Sequence, residues 1–220
     1  MGATSPATVS WAIVFVAAML VPIALTALTA FAKISTVLQI VRVGLGAQDI
    51  PSRTVLLALS MALTWLVMTP MVTSVAERAA PAVMAADTAP VGDTARALRE
   101  ALEPPMRSFL AANAKQSERD RFATVARANA GARAADVTDR DFAVLVPAFV
   151  VSELMRAFTL GLALLLPFAI VDLALANVLA ALGWTAVNPT QVAIACKLLL
   201  FLAVDGWGVV SRALASGYKF

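Results

Sequence analysis

Apolar positions along this chain fall into long unbroken runs on either side of one polar block, and no stretch shows the two-residue alternation of a half-buried strand. The first 32 residues carry no charge, and residues 9–31 are enough to cross a bilayer as a helix. No Lys or Arg precedes that run, and it exceeds the apolar segment of a secretory signal, so a retained helix is expected. Residues 33–53 read as a short connection. Residues 54–76 form a second uncharged run, expected to end near Pro70.

Residues 77–141 are polar, with 10 basic and 10 acidic side chains. Within this block 94–109 and 115–129 are rich in Ala, Leu, Glu and Arg and read as solvated helices, while 79–92 and 129–135 read as loops. Residues 142–182 are apolar again. As one straight helix they would reach about 61 Å, twice the hydrocarbon thickness, so Pro167 is expected to kink or break them. A last apolar run occupies 191–210. The pattern predicts an all-α protein: long, kinked hydrophobic helices in hairpins (1–76 and 142–220) flanking a smaller polar helical insertion (77–141).

Composition sharpens this picture. Hydrophobic residues make up 60% of the chain, charged residues 14%, and the mean hydropathy is +0.83; soluble domains carry about 25% charged residues. One small core cannot hide that much apolar surface, so a membrane, a large assembly or both must cover it. The net charge of +3 is small, and no basic face with interleaved aromatics points to nucleic acid. The absence of histidine removes Ser-His-Asp and Cys-His catalysis and histidine metal sites. No phosphate-loop, dinucleotide or nucleophile-elbow motif occurs; Gly44-Leu45-Gly46 comes nearest but lacks a third glycine and follows no strand. Cys196 stands alone in an apolar run and reads as a packing residue. No enzyme, cofactor or metal is expected.

Charges inside apolar segments are costly and need partners. Glu153 and Arg156, three apart, are neighbours on one helix face and can pair, or meet another subunit. Asp172 has no basic residue within a turn. Lys197 and Asp205 are eight apart, about 12 Å along a helix axis, so each of the three should find its partner on another helix or chain. They are read as buried pins that fix how helices dock; a proton or ion pathway of a small coupled transporter is the alternative. Residues 33–53 hold Lys33, Arg42 and Arg53 against Asp49, which by the positive-inside rule turns this connection to the cytoplasm and the 77–141 block to the periplasm.

Four stretches in order resemble the FliP family of type III export-gate proteins and its injectisome counterpart SctR. They are Phe31-Ala32-Lys33-Ile34-Ser35-Thr36-Val37-Leu38 running on to Arg42-Val43-Gly44-Leu45-Gly46; then Leu145-Val146-Pro147-Ala148-Phe149-Val150-Val151-Ser152-Glu153-Leu154; then Pro167-Phe168-Ala169-Ile170-Val171-Asp172-Leu173; and last Lys197-Leu198-Leu199-Leu200-Phe201 continuing to Asp205-Gly206-Trp207. The tail, Ser211-Arg212 with Tyr218, resembles the injectisome branch more than the flagellar one.

The resemblance implies a subunit of a pentamer-like ring, packed helically in the bacterial inner membrane. Its partners would be two smaller export-gate membrane proteins, SctS/FliQ-like and SctT/FliR-like, and unfolded secreted polypeptides would pass through the middle. Between the third and fourth stretches the family usually carries a methionine-rich gasket loop. Here Trp184-Thr185-Ala186-Val187 occupy those positions, and Trp184 is expected to plug the pore in their place.

Overall fold

A computed structural model of the chain describes residues 19, 22–47, 50–85, 90–184 and 187–220. Among them every regular element is helical. The order is α1 (Pro22–Leu28), α2 (Phe31–Leu45), α3 (Arg53–Met84), α4 (Val91–Asn113), α5 (Gln116–Ala130), a 3-10 turn (Gly131–Asp136), α6 (Phe142–Ala181), α7 (Pro189–Ala203) and α8 (Gly206–Ala215).

Most of the 9–31 span lies outside the described residues, and the part inside bends by 86° between α1 and α2. The 33–53 connection is corrected more deeply. Residues 33–45 are a core helix, with Ile34, Val37, Leu38, Val41 and Leu45 spaced three and four apart and at most 1% exposed. That spacing is the helical signature; the scattered charges of the segment obscured it. Lys33 is 2% exposed, so it is no loop charge, and the positive-inside count loses one of its three cations.

Ser52 caps α3 by accepting the Val55 N–H, and the helix runs 32 residues through Pro70 and Pro81. Neither the end near Pro70 nor a loop beginning at 79 is found. Proline's fixed φ is itself helical, so it weakens rather than forbids a helix held by its flanks. Leu56, Ser60, Leu63, Thr64, Val67 and Met68 make the buried stripe of α3.

α6 likewise passes without interruption through Pro147 and Pro167 for 40 residues, about 60 Å. The 191–210 run, in contrast, is two helices, bent by 63° where Asp205 adopts a left-handed backbone and its carboxylate caps α8 at the Gly208 N–H.

The predicted solvated helices are present as α4 and α5, and both pack on α6, α4 on α3 as well. Phe109, Leu110, Leu145 and Phe149 join the α2 face in one core. α2 and α6 approach closely at Gly161, where a Cβ would stand 2.5 Å from the Ile40 side chain. Two helices meet the tests for a membrane span by length and composition, α3 and α6, and up to four do if each bent pair is one span.

Candidate assembly site: buried charges and a tail clasp

The first charge cluster forms where α2, α6 and the C-terminal tail converge. Glu153, fully buried, accepts at Oε1 from Arg156 Nη1 at 2.5 Å and at Oε2 from the Tyr218 hydroxyl at 2.5 Å. Lys33 Nζ lies 3.7 Å from the same Oε2 and 3.6 Å from the Tyr218 ring centroid. Two cations therefore share one carboxylate, with an aromatic face supplying part of the solvation that burial removes. Burial, reinforced by the Glu153 charge, pushes the Tyr218 phenol well above its ordinary range, so it remains a donor. Tyr218 also lies 3.3 Å from the Ala30 carbonyl, at the α1–α2 bend.

The tail is held on its other side too. Asn113 accepts the Lys219 N–H at 3.1 Å and donates to the Lys219 carbonyl at 2.7 Å, a two-point backbone clasp. The Phe109 ring stacks against Tyr218 and Phe220, with centroids at 6.1 and 5.4 Å. Ser152, one residue before Glu153, accepts the Lys115 N–H at 2.8 Å and so ties the start of α5 to α6.

The second cluster joins α7, α6 and α2. Lys197 Nζ stands 2.6 Å from Asp172 Oδ2 and donates to the Gly44 carbonyl at 3.2 Å. A cation at the C-terminal end of a helix meets both the unpaired carbonyls and the negative end of the dipole. Asp205 pairs with Arg212 at 3.4 Å on the exposed α7–α8 corner. Gly206 admits the Phe201 ring, which a Cβ would strike, and Trp207 meets that ring edge-on at 5.1 Å.

The structure thus brings Glu153, Arg156 and Lys33 together, and Asp172 with Lys197. Two expectations are corrected: Asp205 is 69% exposed and pairs with Arg212 of the helix it caps, not with another helix, and Asp172 is 48% exposed, so neither is a buried charge. The local Glu153–Arg156 pair is present, and Asp172 and Lys197 find each other across helices as the spacing argument required. Pro147 and Pro167 lie inside α6. Arg42 sits in the last turn of α2. Trp184 follows the Gly183 turn that ends α6: Trp184 N–H reaches the Leu179 carbonyl and Gly183 N–H that of Ala180, leaving the indole 57% exposed. Val187 is 37% exposed, and Thr185 and Ala186 lie outside the described residues. Sequence reasoning missed the roles of Lys33, Asn113 and Tyr218. The one available signal was that Tyr218 is the sole tyrosine of the chain. Among the described residues no group of three or more His, Cys, Asp or Glu could hold a metal ion.

Long apolar helices, ionic pins between them and a large uncovered apolar surface define an all-helical membrane protein. The chain belongs to the FliP family, whose family model matches residues 14–214. It is 37% identical over 205 residues to the hypersensitivity response secretion protein HrcR of Ralstonia nicotianae, covering 93% of this chain and 94% of that one. It is 34% identical over 213 residues to the probable translocation protein y4yL of Sinorhizobium fredii, with 97% and 95% covered. The flagellar biosynthetic protein FliP of Cereibacter sphaeroides is 37% identical over 194 residues, 87% of this chain and 61% of that protein.

Proposed function

We propose that this chain is a pore-forming core subunit of the type III secretion export apparatus, conducting unfolded polypeptides across the bacterial inner membrane. The observation that carries the reading is the uncovered second half of α6. In its most apolar 18-residue window only 11% of residues are buried by the chain itself, so cover has to come from membrane or neighbouring subunits. The family and the likeness to a secretion protein and a translocation protein supply the machine.

In this reading several copies form a ring with two smaller helical membrane proteins, and α4 and α5 lie on the periplasmic side. The buried Glu153 cluster with Lys33 and Arg156, and the half-exposed Asp172–Lys197 pair, hold each subunit's helices in register. A coupled transporter would use Asp172 and Lys197 as titrating steps. Their 2.6 Å pairing, with Lys197 also bound to a helix end, suits a structural pin better. Trp184, exposed at the end of α6, serves as the gasket side chain.

The test is the native mass of the detergent-extracted protein, expressed alone and with its neighbouring membrane proteins. A discrete ring-sized oligomer that takes up the small partners is expected; a stable monomer that ignores them overturns the assembly reading. In the assembled gate, Trp184→Ala is expected to raise ion leakage, and unchanged leakage removes the gasket role.

A further inference from the structure

Resting on the assembly reading and deepening it, the charge balance around Arg156 says what kind of partner covers α6. Among the described residues, the ion pairs of Lys33 and Arg156 are with Glu153 alone, so the cluster carries one uncompensated positive charge. Tyr218 does not offset it, because its hydroxyl donates to Glu153. Lys33 is sealed inside, whereas the Arg156 side chain is 32% exposed, so the surplus charge emerges at Arg156.

Arg156 borders an exposed apolar stripe. Met155, Phe158, Leu162, Leu166, Ile170 and Leu173 recur at three- and four-residue steps along α6, each at least 44% exposed. The stripe is about 27 Å long, the reach of one membrane-length helix. Once it is covered, the outward guanidinium donors lose water and need an acceptor. An arginine free to move could stretch toward lipid phosphates. Arg156 is pinned to a buried carboxylate at 2.5 Å, so the counter-charge has to come to it, at the level of the stripe.

We infer that the α6 stripe docks an apolar helix of another polypeptide that bears one Asp or Glu near one end, and that this carboxylate pairs with Arg156. The pair would fix the axial register of the two helices, which apolar contact alone leaves free to slide.

The test places a photo-crosslinking benzoylphenylalanine at Phe158, and separately at Leu162, in the full chain within its secretion machine. The crosslinked peptides are then sequenced by mass spectrometry. The expected adduct is an apolar segment with an Asp or Glu within about one helical turn of the position facing Phe158. Replacing that partner acid by its amide, which leaves this chain untouched, should cut the adduct yield about tenfold or more. Arg156→Glu should do the same and be restored by placing Arg at the partner position. Adducts with lipid alone, adducts with a segment lacking an acid, or an amide variant with unchanged yield overturn the inference. A ring-sized native mass alongside any of these leaves the assembly reading standing; a monomer removes both.

Discussion

The two parts of α6 are both apolar in sequence and differ in surroundings. Residues 142–157 are packed under α2, α4, α5 and the tail: Val144, Leu145, Ala148, Phe149, Ser152, Glu153 and Ala157 are all buried. Residues 158–181 bury only Gly161, Phe168 and Leu179 and leave Phe158, Leu162, Leu166, Ile170, Leu173 and Val178 exposed. The charged residue with no exposure at all, Glu153, sits in the covered half. Hydropathy therefore reports how strongly a segment demands cover, not what covers it. In the first half the chain covers itself and can hold an ion cluster; the second half waits for something outside the chain.

The largest effect that separates the halves is expected from Glu153→Gln. It leaves Lys33 and Arg156 without a counter-charge, and breaking a buried pair in this way costs about 3–5 kcal/mol. Unfolding of the detergent-extracted protein by denaturant reads it directly, and a loss below 1 kcal/mol would mean that water reaches the cluster. A paired truncation sharpens the contrast. Phe149→Ala, which empties the space against Phe109, should cost about 3–5 kcal/mol. Phe158→Ala, in the uncovered half, should change the stability of the isolated chain by less than about 0.5 kcal/mol while weakening its assembly. Equal losses at the two sites would end the distinction.

The helical class, the helices α4 and α5, and the pairings of Glu153 and Asp172 were legible because they follow from run length, composition and helical spacing. Asp172 with Lys197 shows how far this goes: the lack of any same-helix partner predicted a cross-helix one, though not that Gly44 would supply the third contact. What stayed illegible was governed by tertiary packing. Lys33 looked like a loop charge because burial of a lysine depends on Glu153, 120 residues away, and on Tyr218. Pro70 and Pro167 looked like breaks because their cost is local, while the support that outweighs it is not. The apolar run 191–210 concealed a corner, since Asp205 reads as a buried charge until its left-handed backbone makes it a cap. Residues 33–45 do carry the three-and-four spacing of a buried helix face, but Lys33 and Arg42 within the segment mask it.

Tyr218 tests whether the covered half depends on the tail. Tyr218→Phe keeps the ring under Lys33 and against Phe109 but removes a hydrogen bond to a carboxylate, which should cost about 1.5–3 kcal/mol. The wild-type phenol is raised above its ordinary range in the folded state. Its contribution is therefore complete below about pH 10, where the unfolded phenol is protonated, and is lost as the pH rises through the higher folded value. Between pH 6 and 9 the difference between wild type and Tyr218→Phe should hold constant. A difference that grew or shrank in that window would place the titration on another group.

The smallest expected effect lies on the polar insertion, where charges are paired but wet. Glu103 on α4 accepts from Arg99 at 3.1 Å and from Arg107, which also donates to the Arg140 carbonyl beside the start of α6. Hydrogen bonds from Arg107 and then Arg99 hold its carboxyl below the usual range. A lowered folded value means the pairing stabilises above the unfolded carboxylate range and is lost as pH falls through the folded value, the reverse of Tyr218. Since Glu103 is only partly covered and Arg99 is exposed, the effect should be slight and should fade with salt, as exposed pairs do. Glu103→Gln should thus lower the thermal midpoint a little at pH 7 and low salt, and by less as the pH falls below the carboxylate range. If the difference survived high salt at neutral pH, this corner of the insertion would be as sheltered as the Glu153 cluster, and the line between covered and wet charge would have to be redrawn across α4.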